Sequence, residues 1–207
     1  MALLNYSDLK TSIGNWLNRR DLTSVIPDFV TLAEDEIKRK VRGKPKRLST
    51  FALDAYAVTL PADCSEVRGI RITSPPGYKP VKIVTQLVFD EKTAMNAGRT
   101  GVPQFACIVD RELLLSPVPA QAYTAELKYR EKLIPLSANA DSNSVLTDSK
   151  DVYLYGSLLQ AAPFLKNDER VLLWQSKFDS AIEQINIMHE REEFPTGTAA
   201  RLLRVFG

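Results

Sequence analysis

The chain has one histidine and two cysteines in 207 residues, which removes much of the chemistry side chains perform by themselves. A Ser-His-Asp triad or a histidine-based metal centre would have to be built around His189, which sits in HEREEF with acidic neighbours and no apolar pocket around it. Cys64 and Cys107 lie far apart with no second pair and no histidine cluster beside them, so neither zinc nor a redox pair is expected. Both read as free buried thiols, Cys107 inside the apolar run FACIV. The patterns GxxxxGK[ST], GxGxxG and GxSxG are missing, and GRTG at residues 98–101 reads as a turn leading into a strand at Val102 and Pro103. The carboxylate neighbours Glu34 with Asp35, and Glu192 with Glu193, do not face each other on a helix and read as solvated surface. The expectation is a protein that is not an enzyme, with no cofactor, no metal and no catalytic residue.

Long apolar runs are missing too. Nothing approaches the roughly 20 residues of a membrane-spanning helix, so no membrane partner is expected, and MALLNYSDLK lacks the basic and apolar regions of a secretion signal. Assembly in the cytosol is the expectation. Charge of one sign is also scarce: 27 Lys and Arg against 25 Asp and Glu leave +2, which argues against a protein that coats DNA with general positive charge but leaves room for a local basic patch. With 44% apolar and 25% charged residues, the chain reads as an ordinary globular protein.

What is present is a change of period along the chain. Ser7 reads as the N-cap of a helix with Leu9, Ile13, Trp16 and Leu17 on its apolar face, ending near Asn18. Pro27 suits the first turn of a second helix, with Ile26, Val30, Ala33, Ile37 and Val41 on one face and a basic end, stopped by Gly43 and Pro45. From Leu48 to about Leu136 the pattern turns to short strand-like runs: AYAVTL, EVRGIRIT, PVKIVT, QFACIV, ELLLSP and AYTAELKYREK. One short helix, QLVFDEKTAMNAG, interrupts them, and Asp110 and Arg111 read as a two-residue hairpin lacking the usual glycine. Residues 137–149 read as a connecting loop. Two further helices follow on either side of Pro163, the first with Val152, Tyr155, Leu158, Leu159 and Ala162 on its face, the second with Val171, Leu172, Trp174, Phe178, Ile182 and Ile185.

Apolar stripes at both chain ends must be buried, and burying them against each other gives an α+β fold: a helical bundle from the N- and C-terminal helices (residues 1–47 and 137–194) with an inserted, mainly antiparallel β platform (residues 48–136). Residues 195–207 form a separate tail.

Two features suggest binding. KRKVRGKPKR, residues 38–47, places Lys38, Arg39, Lys40, Arg42, Lys44, Lys46 and Arg47 at a helix end and the loop after it. Such a cluster contacts phosphates, or another partner, through charge alone, and it supports a second reading of the chain as a nucleic-acid-binding module. The alternative is a solvated helix end favoured by its dipole. The tail PTGTAARLLRVFG sets Leu202, Leu203, Val205 and Phe206 between and beside Arg201 and Arg204, the composition of either a frayed end or a segment that orders on a partner, with the density of large apolar groups favouring the partner.

Four stretches carry a resemblance: YSDLKTSIGNWLNRRDLTSVIPDFVTLAEDEIKRKVR, LPADCSEVRGIRI, GVPQFACIVDRELLLSPVPAQAYTAELKYREKLIPLS and DVYLYGSLLQAAPFLKNDERVLLWQSKFDSAIEQIN. In order and spacing the chain resembles the head-to-tail adaptor (connector, or head completion) proteins of short-tailed bacteriophages. The resemblance implies a non-enzymatic virion subunit, assembled in the host cytoplasm, that forms a ring with its own neighbours, commonly in twelve copies, beneath the portal protein. It implies that the helical part meets the portal and ring neighbours, that the β part offers a platform to the tail nozzle or tail tube protein, and that DNA passes through the lumen. It further implies that the C-terminal segment, Arg201 to Phe206, reaches the portal. Within AAPFLKNDE, it implies a turn or kink at Pro163 with Asn167 or Asp168 capping the next helix.

Overall fold

A computed structural model describes residues 3–19, 21–74, 80–165 and 169–193. In chain order the elements are α1 (Tyr6–Leu17), α2 (Ile26–Lys40), β1 (Pro45–Leu53), β2 (Ala57–Thr59), β3 (Cys64–Ser74), β4 (Pro80–Ile83), α3 (Gln86–Met95), β5 (Thr100–Gly101), β6 (Phe105–Val109), β7 (Glu112–Ser116), β8 (Val118–Pro119), β9 (Tyr123–Glu131), α4 (Ser144–Asp148), α5 (Lys150–Leu165) and α6 (Val171–Glu193). The fold is α+β, with helices from both chain ends and a large, mainly antiparallel sheet between them in sequence. The chain packs as two compact units, one running to Lys44 and resuming at Leu133, the other Pro45–Lys132.

The helical unit is organised around α5, whose Val152, Tyr153, Leu158 and Ala161 are fully buried against α1, α2, α4 and α6. A helix buried on so many sides needs apolar residues beyond a single stripe, which is why Tyr153 and Leu154 join the core outside the expected face. Gly156 lets α6 approach: a Cβ there would meet the Phe178 ring at 2.9 Å and Ala33 at 3.4 Å. Pro163 does not stop α5, which continues to Leu165. It falls in the last turn, where few hydrogen bonds remain to be lost. The proposed caps Asn167 and Asp168 lie outside the described residues.

Other boundaries shift for local reasons. The N-cap of α1 is Asn5, whose side chain accepts from the Asp8 N–H, so Ser7 sits inside the first turn. The expected loop at 137–149 contains α4, capped by the Asn143 side chain on the Leu146 N–H. Trp16 and Leu172, expected in the core, are exposed.

The second unit is a seven-stranded sheet ordered β1-β9-β3-β4-β6-β7-β2, antiparallel except for the β4–β6 pair, with a two-stranded parallel β5–β8 pair beside it in the chain. The last strand, β9, therefore lies between the first and third. Tyr123, Ala125, Leu127 and Tyr129 alternate along β9 toward the core, with Phe51 and Leu53 of β1 and Ile70 and Ile72 of β3 on the same side. Helix α3 packs on β6 and β7 through Phe89. The β6–β7 hairpin turns through Asp110 at φ 52°, a left-handed position that aspartate tolerates better than most residues.

Candidate functional site

The basic run at residues 38–47 is shared between the two units. Lys38, Arg39 and Lys40 end α2, Arg42 and Lys44 follow it, while Lys46 and Arg47 stand on β1 in the other unit. Most of these cations are paired. Lys38 reaches Asp35 at 3.2 Å, Lys40 reaches Glu36 at 2.8 Å and Asp179 at 3.2 Å, and Lys44 reaches Asp148 at 2.7 Å. Lys46 reaches Asp63 at 2.9 Å and Glu131 at 3.2 Å, and Arg47 reaches Glu126 at 2.6 Å. The Lys40 ammonium is held above its ordinary pKa by the Glu36 hydrogen bond, and Asp63 below its own by Lys46. Arg39 and Arg42 are exposed. A run that looks like seven charges for phosphate is chiefly a set of local ion pairs.

The segment after α2 is gripped by α6. The Asn186 side chain accepts from the Arg42 N–H at 2.7 Å and donates to the Lys40 carbonyl at 3.0 Å, and His189 Nδ1 lies 2.6 Å from the Arg42 carbonyl. A carbonyl only accepts, so Nδ1 carries the proton. His189 is buried, contrary to the expectation from its charged neighbours, and its Nε2 meets no partner. It follows Phe178, Ile182 and Ile185 on the inward face of α6.

Glu34 also corrects the sequence reading. It is buried, accepts from the Leu136 N–H at 2.8 Å and the Tyr153 hydroxyl at 3.0 Å, and burial pushes its carboxyl pKa up. Tyr153 in turn takes a bond from Asn143 at 2.7 Å, and burial pushes its phenol up as well. This chain of bonds joins α2, the segment before α4, and α5. It ties these three parts of the helical unit together. Cys107 is buried and Cys64 partly so, both free thiols. Among the described residues no group of histidine, cysteine and carboxylates could hold a metal ion, and no helix is long and apolar enough to cross a membrane.

Two surfaces are not evident from the sequence. At one end of the bundle, where α1 and α5 finish and α6 begins, large apolar side chains stay in solvent: Trp16 at 45% exposure, Phe164 at 54%, Leu172 at 82% and Leu173 at 56%. The Trp16 ring stands edge-on to Tyr155 and Phe164 to Phe29, while Arg170 bonds the Trp16 carbonyl and covers Trp174. In the sheet unit, the side of β1, β9, β3 and β4 that faces away from the apolar core carries mostly cations. Register pairs Arg47 with Lys128, Lys128 with Gly69, and Arg71 with Glu126. The tail residues Arg201, Leu202, Leu203, Arg204, Val205 and Phe206 lie outside the described residues.

Among curated proteins no match is found. The SU10 adaptor protein family matches residues 4–201, nearly the whole chain, and with that span the chain belongs to this family of bacteriophage head-to-tail adaptors.

Proposed function

We propose that this adaptor is a structural subunit that closes a ring, in twelve copies, beneath the portal protein and links it to the tail nozzle or tail tube protein, with DNA passing through the lumen. The bundle of residues 1–47 and 137–194 meets the portal and ring neighbours, and the β platform of residues 48–136 meets the tail. The observation that carries this reading is the apolar bundle end of Trp16, Phe164, Leu172 and Leu173. Large apolar groups held in solvent on rigid helices mark a surface that a partner covers. A head-to-tail contact repeated by rotation closes a ring. The tail, residues 195–207, docks on the portal through Leu202, Leu203, Val205 and Phe206, with Arg201 and Arg204 fixing it by charge. The protein performs no catalysis, and takes its place at the head-to-tail junction of the virion after synthesis in the host cytoplasm.

Light scattering tests this directly. The purified chain is expected as a monomer that joins isolated portal rings as a ring of its own, and deletion of residues 195–207 is expected to prevent joining. A chain that ignores the portal in both forms would overturn the reading, and a stable ring without portal would overturn portal-triggered assembly.

The nucleic-acid reading of residues 38–47 as a single cluster has no comparable support, because Lys38, Lys40, Lys44 and Lys46 are engaged in local ion pairs.

A further inference from the structure

On the outer side of the sheet unit two cations stand side by side around one carboxylate. Arg47 of β1 and Lys128 of β9 are direct cross-strand partners, and like charges placed opposite each other destabilise a sheet. Both remain well exposed, Arg47 at 65% and Lys128 at 62% of the side chain. The same cross-strand row continues to Gly69 of β3 and then to Lys82 of β4, one position along from the paired Ile70 and Val81. Strands stand ~4.8 Å apart, so the row spans roughly 14 Å. In its middle Gly69 contributes no side chain, and a Cβ built there meets nothing within 4 Å. The row is therefore a shallow channel with cations on both sides.

The neighbouring rows add to the charge. Arg71 is exposed opposite Glu126, and Arg130 stands opposite Glu66, which also takes a bond from Arg68 at 2.9 Å. Glu126 is nearly covered, at 7% exposure, and sits 2.6 Å from Arg47 and 3.8 Å from Lys128. It partly neutralises the two cations and orients them, while Lys82, Arg71 and the outer faces of Arg47 and Lys128 stay turned to solvent.

We infer that this face, centred on the row Arg47, Lys128, Gly69 and Lys82, is the surface that touches the phosphate backbone of duplex DNA. The identity of the polyanion rests on the adaptor reading, in which DNA travels through the ring; the place of contact rests on the sheet. A flat face of spaced cations without base-reading helices binds phosphates irrespective of sequence, as a passage for a moving duplex requires. Arg47 is the one member of the basic run at 38–47 that belongs to it.

The test is titration of a short fluorescein-labelled duplex with the full chain across a salt series, beside the portal-joining assay. Wild type is expected to bind with affinity that falls steeply with salt. Removing one cation that neutralises a phosphate lowers the log–log salt slope by ~0.9, or about eightfold in affinity near ~0.1 M salt. R47Q/K128Q is expected to show about twice that change in slope. Gly69→Glu keeps every cation and its Cβ meets nothing within 4 Å, so it should weaken binding through its charge, while Gly69→Ala leaves binding unchanged. Glu126→Gln should tighten binding, a gain that a purely structural role would not produce. All four variants should still join portal rings. Wild type that does not bind duplex at low salt, or R47Q/K128Q and Gly69→Glu that bind as wild type, would overturn the inference. Failure of wild type to join the portal would instead strike the adaptor reading.

Discussion

Gly156 of α5 faces the ring of Phe178 of α6 so closely that a single methyl on the glycine would stand 2.9 Å from the ring. Phe178 is fully buried, so moving its ring disturbs the packed core around it. Gly156→Ala sets about 1 kcal/mol of gained helix propensity against an overpacking cost of roughly 1–3 kcal/mol. The clash wins, and thermal unfolding should show a destabilised bundle, with G156A/F178L recovering part of the loss. A more stable G156A would mean that α5 and α6 can separate freely.

Glu34 makes stability depend on pH with an unusual sign for a carboxylate. Its pKa is raised in the folded protein, so the folded state holds the proton more tightly. The group's contribution is fully present below the unfolded value of about 4.3 and is lost as pH rises through the folded value. Glu34→Gln keeps acceptors for the Leu136 N–H and the Tyr153 hydroxyl and removes this dependence. Glu34→Ala leaves both without the acceptor, at ~1–3 kcal/mol for each buried group. Denaturant titrations of the variants between acid and neutral pH check both statements.

Asp63 acts in the opposite sense. Lys46 first, then Tyr129, hold its carboxyl below the ordinary value. Its contribution is present above the unfolded value of about 3.9 and disappears as pH falls through the folded one. The ion pair is largely solvated, so Asp63→Asn should cost only ~0.2–1 kcal/mol at neutral pH. The measurement is sheet unfolding in D63N and wild type from neutral pH downward, where the two curves should converge in acid.

His189→Phe fills a similar volume but gives the Arg42 carbonyl no donor. An unmet acceptor at the buried end of this grip should cost about 1–3 kcal/mol. Hydrogen exchange should show the segment after α2 opening more readily, whereas an unchanged exchange rate would mean the Asn186 bonds hold it alone.

Much of this architecture is readable from period. Ile26, Val30, Ala33 and Ile37 mark the inward face of α2, and that same spacing includes Glu34, four residues after Val30. Glu34 reads as solvated together with Asp35 because adjacent helix positions do not face each other, yet that same difference in direction turns Glu34 inward. His189 carries the same lesson, four residues after Ile185. Sheet order is not legible, since alternation tells which side of β9 is buried but not that β9 lies between β1 and β3. For that reason Arg47, Lys128 and Lys82 are invisible as a group until register brings them into one row. The apolar bundle end is hidden because Leu172 and Trp16 satisfy a helical stripe on paper while the corner leaves them outside.

The sheet unit begins on β1 and finishes on β9, and these strands are neighbours: Pro45 is the direct partner of Arg130. Pro45, its first residue, and Arg130, two residues before its end, are therefore within about 5 Å of each other, as close as the two ends of a hairpin. A segment with touching ends can be cut from one gene and set into another, or removed and replaced by a short turn, without asking the host scaffold to stretch. Each unit also has its own apolar core, so the sheet has the layout of a cassette.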